Sequence, residues 1–235
     1  MILPGATYSD IYKAITDEED KVQYYWQKQA KKIIKEFYSQ LNRDPMVAYT
    51  YYVNPKSRNK YLLWYATTPL RFVRNNEDIF GGMFLVVDDF TERDFYFTTG
   101  KDNCAFLLHV TSHFVRRYRE RNLRDDKLKT ETVLATYVFR NGSDFLQLDP
   151  DETNISKEKD ARTFTNLVKD GIIYFQCGKD MLDQKKELVI IRYKTFVPHS
   201  ALNDKQKSHI QERVREINEI HIKNLLNIPD NEKQP

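Results

Sequence analysis

A chain of 235 residues is long enough to bury a hydrophobic core without covalent staples and short enough to do so as one domain. Its 37 Lys and Arg stand against 34 Asp and Glu, a net charge of +3, too mild a bias to make it a nucleic-acid binder by charge alone. Seven glycines exclude a glycine-rich architecture, no tandem period marks a solenoid or propeller, and two cysteines, Cys104 and Cys177, exclude a disulfide framework or a cysteine zinc site.

The 15 Tyr and 14 Phe point to a large sheet, because aromatic side chains suit a pleated, half-buried surface. The opening residues have neither a basic nor an apolar leader region, and no later stretch approaches 18 uninterrupted apolar residues. A soluble protein that does not span a membrane is expected, with the cytoplasm as its default location.

In chain order, Thr16 and Glu19 have capping-box spacing, and Val22, Trp26, Ala30, Ile33, Phe37 and Leu41 recur every three or four residues, predicting an amphipathic helix over 17–41. VAYTYYV (47–53) and KYLLWYAT (60–67), separated by turn residues, read as a hairpin. MFLVVDDF (83–90), DFYFTTG (94–100) and CAFLLHVT (104–111) continue as an antiparallel meander. The pattern then turns helical at SHFVRRYRERN, with a second helix from Thr130 to about Phe139. Residues 149–161 lack apolar side chains and read as a surface loop. GIIYFQCG (171–178) and ELVIIRYKTFV (187–197) supply two further strands that pair with each other, and the stripe from Ile210 to Ile228 predicts a long C-terminal helix. The expectation is an α+β fold: an antiparallel sheet of about five to seven strands, an N-terminal helix, a mid-chain arginine-rich helix and a long C-terminal helix, with residues 1–228 in one domain and 229–235 a frayed tail.

One segment carries a candidate chemistry. HFVRRYRERNLR (113–124) holds five arginines, and at about 100° per residue Phe114, Val115 and Tyr118 form one apolar face while His113, Arg117 and Glu120 share the opposite side, flanked by Arg116 and Arg121. Thr111 or Ser112 as N-cap places His113 in the first turn, where free backbone N–H groups and the helix dipole favour an anion. Guanidinium forks suit phosphate oxygens, and an imidazole moves protons near neutral pH. Glu120 is also spaced to pair with Arg116, Arg117 and Arg124, so a solvated, salt-bridged face explains the same residues without a ligand.

The string His113, Arg117, Glu120, Arg121 and apolar Leu123 resembles the HAxxRxxxRGI signature of the barnase, EndoU, colicin and RelE type ribonuclease superfamily, with Phe114 and Asn122 standing where that signature has alanine and glycine. The likeness spans roughly residues 104–198, between an N-terminal helix-and-strand part (1–103) and the C-terminal helix (199–228). It implies an antiparallel sheet with helices on one side and metal-independent cleavage of RNA. By that likeness His113 is the general acid or base, Arg117 and Arg121 stabilise the transition state, and Thr195 ends the last strand of the site. Arg116, Arg124 and His109 are the accompanying substrate-binding candidates.

Elsewhere the pattern is blander. His109, in an apolar strand, reads as a hydrogen-bonded sheet residue or a supporting group; His199, His209 and His221 lack partners at metal spacing, so neither a metal nor another cofactor is expected. Asp88 and Asp89 read as a charged turn, and Tyr49, Tyr51 and Tyr52 as packing residues before they read as base-stacking ones. The expected function is an endoribonuclease-like protein, the alternatives being a non-catalytic module that binds nucleic acid or protein and a purely structural protein. RNA is the expected partner, and the amphipathic terminal helices allow a homodimer.

Overall fold

The first helix, α1 (Tyr8–Phe37), begins a full nine residues before the sequence pattern places it, because Thr7 and Asp10 form the capping box. The Asp10 amide donates to Thr7 Oγ1 at 3.1 Å and the Thr7 amide to Asp10 Oδ2 at 3.3 Å. Thr16 instead sits inside the helix, its hydroxyl donating back to the Tyr12 and Lys13 carbonyls. The computed structural model describes residues 1–74, 78–89, 92–99, 105–142, 163–182, 186–205 and 207–208.

The chain divides into two units, Met1–Pro198 and His199–Pro235. In the first, α1 is followed by β1 (Met46–Val53), β2 (Lys60–Thr67), a short helix α2 (Pro69–Arg74), β3 (Phe80–Asp88), β4 (Arg93–Thr99) and β5 (Ala105–Val110). Then come α3 (Ser112–Tyr118), which widens into a π-helical turn at Arg119–Leu123, α4 (Thr130–Asn141), β6 (Thr163–Val168), β7 (Gly171–Met181) and β8 (Glu187–Pro198). The described part of the second unit is a 3-10 turn, His199–Ala201, and helical residues at 204–205 and 207–208. The remainder of the expected C-terminal helix, and the polar stretch at 149–161, lie outside the described residues.

All eight strands join one sheet in the order β1-β2-β3-β4-β5-β8-β7-β6. The expected hairpin, meander and final pair are present with antiparallel registers, but β5 and β8 run parallel, Leu108 beside Ile191 and His109 beside Arg192. The sheet is therefore mixed, and it has eight strands where five to seven were expected. The chain leaves β5 through α3 and α4 and comes back as β6, and two antiparallel reversals, β6–β7 and β7–β8, then leave β8 running parallel to β5.

Strand alternation sends side chains to two apolar clusters. On one face Leu62, Val86, Phe95, Leu108, Ile191 and Tyr193 meet Phe114, Val115 and Tyr118 of α3 and Val133, Leu134 and Tyr137 of α4. On the other, Leu63, Tyr65, Leu85, Leu107 and Ile190 meet Ile11, Ile15, Val22, Ile33 and Phe37 of α1. Helices thus cover both faces, and the apolar stripe of α1 is buried against its own sheet. Trp26 stacks on Tyr65 with ring centroids 5.0 Å apart and donates from Nε1 to the Trp64 carbonyl at 3.1 Å. Gly81 makes room for this, since a Cβ there would lie 2.5 Å from the Trp26 ring. Tyr49 and Tyr51 join the α4 side and Tyr52 packs on Tyr25 and Tyr61, so the β1 tyrosines are packing residues.

Candidate functional site

β5 ends at Val110, and Thr111 caps α3 by accepting from the Phe114 amide at 3.2 Å while its hydroxyl donates to the Tyr193 carbonyl of β8 at 2.9 Å. These bonds pin the first turn of α3 to the sheet, and the buried Phe114, Val115 and Tyr118 hold the rest. The first-turn amide of Ser112 donates to Asp94 Oδ1 at 3.0 Å. The N–H groups that the sequence reserves for an anion are thus partly occupied by the protein itself.

His113, Arg116, Arg117 and Arg121 form one cationic cluster on the outer side of α3. Arg116 Nη2 donates to His113 Nδ1 at 3.0 Å, Arg117 pairs with Glu120 at 3.1 Å, and Arg121 Nη1 donates to the Phe196 carbonyl of β8 at 2.8 Å. Burial depresses the His113 pKa below its ordinary value, and the positive charges of Arg117, Arg116 and Arg121 depress it further, against a smaller pull from Glu120. The imidazole is neutral at pH 7, with Nδ1 accepting and Nε2 carrying the proton.

A helical wheel places Arg121 at 100° steps from His113, but the α-helix stops at Tyr118. The following turn closes with the Arg124 amide on the Arg119 carbonyl at 2.8 Å, a five-residue spacing that swings Arg121 onto the end of β8. Arg124 has φ 52°, ends the turn in the left-handed region and is exposed; Arg119 is tied to the Leu128 carbonyl at 3.1 Å.

Thr195 and His109 do not join this cluster. Between Tyr193 and Phe196, both buried on the α3 side, the register shift against Tyr174 and Phe175 inserts one residue, so Lys194 and Thr195 both turn toward the α1 side. His109, 3% exposed, also faces α1: Nε2 lies 2.7 Å from Asp94 Oδ2, Nδ1 lies 3.2 Å from the Tyr8 hydroxyl, and its ring stacks on Tyr96. Burial lowers the His109 pKa more than the Asp94 carboxylate raises it, with Arg192 and Lys194 lowering it again. Burial would raise the Asp94 pKa, but bonds from His109 and the Ser112 amide, with the nearby charge of Arg192, hold it below the ordinary carboxylate value. Asp94 is the residue the sequence hid: it links α3 to β5 and, through His109, to Tyr8 at the start of α1, and its role follows only once β4 is paired with β5.

A recess of about 490 Å³ lies on the α4 side of the sheet, but it is lined by Trp64, Phe80, Gly82, Phe97, Tyr137 and neighbours, and by no residue of α3. Its one charged lining residue, Arg71, is held by Asp78 at 2.8 Å and by the Phe80 ring. Asp88 is tied to Lys60 at 3.1 Å and to Arg93, the charged turn expected of it. Among the described residues no group of three or more His, Cys, Asp or Glu could hold a metal, and no helix is long and apolar enough to cross a membrane. The Cys177 thiol is buried and pushed up to about 11, and Cys104 lies outside the described residues, as do His209 and His221.

The fold and this surface define an α+β protein with a mixed eight-stranded sheet, helices on both faces and a cationic face on α3. Comparison of the chain with family models, with curated proteins and with solved structures finds no match in any of the three.

Proposed function

We propose that the protein binds the phosphate backbone of RNA through the outer side of α3, with Arg116, Arg117, Arg121 and Arg124 as the contacts and His113 at their centre. The observation that carries this reading is the set of arginines gathered around one imidazole, with Glu120 of the π-helical turn as the single acidic residue between 112 and 124. Arg121, held by the Phe196 carbonyl, is preorganised, and each phosphate that these guanidinium groups neutralise releases condensed counterions. RNA is favoured as the polyanion by the likeness of the His113, Arg117, Arg121 string to a ribonuclease signature.

The geometry supports binding over cleavage. Transfer of a 2′-hydroxyl proton needs a base with a free lone pair, yet His113 Nδ1 already accepts from Arg116, Glu120 is engaged by Arg117, and Thr195 faces the other side of the sheet. Fluorescence anisotropy of a labelled single-stranded RNA, measured between 50 and 300 mM salt with a DNA of the same sequence alongside, tests the reading. A logarithmic salt slope of about −2 to −3 is expected from three or four contacts at about 0.7 each, and R116Q/R117Q/R121Q together should flatten it. Undiminished binding by that variant would sink the proposal; shortening of the RNA that His113→Ala abolishes would restore a catalytic role.

A further inference from the structure

The parallel register of β5 and β8 sets His109 beside Arg192, and the antiparallel register of β7 sets Gln176 on the other side of it. Alternation places Arg192 on the α1 side of the sheet, with Lys194 and Thr195 delivered to the same side by the bulge one step further on. Two cationic side chains about 7 Å apart along one strand thus face the same way beside the first turn of α1.

The Nε of Arg192 is shielded from solvent and has no hydrogen-bond partner among the described residues, and no carboxylate there forms an ion pair with Arg192 or Lys194. The neighbouring acid, Asp94, is already committed to His109 and to the Ser112 amide. The Tyr8 hydroxyl donates to His109 Nδ1, which fixes the His109 proton on Nε2, toward Asp94. The Tyr8, His109 and Asp94 chain is therefore complete without Arg192. The Asp94 carboxylate lies within electrostatic reach of Arg192, so the unmet group is the shielded Nε, and an unmet buried donor is a cost that an anion accepting from this guanidinium would offset.

We propose that Arg192 and Lys194, with the Thr195 hydroxyl beside them, form a binding site for a phosphate-class oxyanion on the α1 side of β8. The guanidinium fork supplies paired donors, the ammonium a point charge, and the threonine a neutral donor. The site lies on the opposite side of the sheet from α3 and is independent of the RNA reading.

Thermal melts and calorimetric titrations of the whole chain test it, with inorganic phosphate and a 5′-mononucleotide as probes against a chloride background of equal ionic strength. Phosphate should raise the melting temperature of the wild type and titrate at one site, whereas Arg192→Met should fold at least as stably in chloride and weaken the apparent Kd about tenfold or more. Arg192→Lys should keep part of the response, and the part of it that Arg192→Met removes should persist in R116Q/R117Q/R121Q. A response to both probes identifies a free oxyanion as sufficient, and a response to the nucleotide alone identifies a phosphate ester. Absence of any response in the wild type, an Arg192→Met protein that responds as the wild type does, or one that is less stable in chloride, would each overturn the proposal.

Discussion

Replacing Asp170 by alanine should cost the protein about 3 kcal/mol, and the structure shows where that figure comes from. The Asp170 side chain, 4% exposed, accepts from the Tyr118 hydroxyl of α3, from Arg140 Nη2 of α4 at 2.7 Å and from Asn141 Nδ2 at 3.1 Å. Its own amide donates to Asn141 Oδ1 at 3.0 Å, so a single carboxylate in the β6–β7 turn fastens both helices that cover this face. Removing one partner of a fully buried ion pair costs about 3–5 kcal/mol, and leaving a buried hydroxyl or amide unmet about 1–3 kcal/mol. Arg140 is 35% exposed and regains water, which places the total near the lower end of the ion-pair range. Urea unfolding should show the loss as a lower midpoint at unchanged slope, and Asp170→Asn, which keeps the shape, should lose less. A loss below about 1 kcal/mol for Asp170→Ala would refute the claim that this carboxylate holds α3 in place.

Three further outcomes follow from particular contacts. Gly81→Ala would drive a Cβ to 2.3 Å from the Trp64 carbonyl, so a destabilisation of about 3 kcal/mol is expected, with altered emission from Trp26 and Trp64; an unperturbed spectrum and midpoint would contradict the packing of α1 on β2. His109 is lowered in the folded state, so as pH falls the unfolded chain takes up the proton first: stability is full above about pH 6.5 and declines below it toward the folded value. His109→Gln should make the drop in urea midpoint between pH 7.5 and 5.5 shallower, and an unchanged drop would assign the dependence elsewhere. Replacing Arg116 and Arg117 by glutamine should raise the His113 pKa measured by proton NMR, because two of the charges that depress it are gone; a fall would reverse the electrostatic reading.

Much of the fold was legible where the period of the chain was local. The tyrosine-rich hairpin, the meander through DFYFTTG, the helix starting at Thr130 and the final strand pair all come from alternation or three-to-four spacing within single segments. The parallel β5–β8 pairing was not, because nothing in CAFLLHVT or ELVIIRYKTFV reports which distant strand each will neighbour; β6 and α2 were too short and too weakly patterned to stand out. The start of α1 was misplaced because two threonines compete as caps, and Thr7 wins by having Asp10 rather than by an apolar run behind it. At the candidate site, the apolar and cationic sides of α3 were readable from the wheel. The turn at Arg119–Leu123 was not, since a π-helical closure depends on where Leu123 and Arg121 meet neighbouring elements. Asp94, Arg192 and Lys194 became visible only through register, which moves an unremarkable strand residue to a particular face and neighbour.

The most direct test of an RNA-binding α3 is an NMR titration that follows the imidazole and guanidinium signals while a short oligouridylate is added at low salt. Shifts at His113, Arg116, Arg117, Arg121 and Arg124, with the His113 resonance moving toward its protonated form as phosphate offsets the arginine charges, are the predicted result. Shifts at Arg192 and Lys194 alone, or none at α3 under conditions where the RNA is bound, would contradict it.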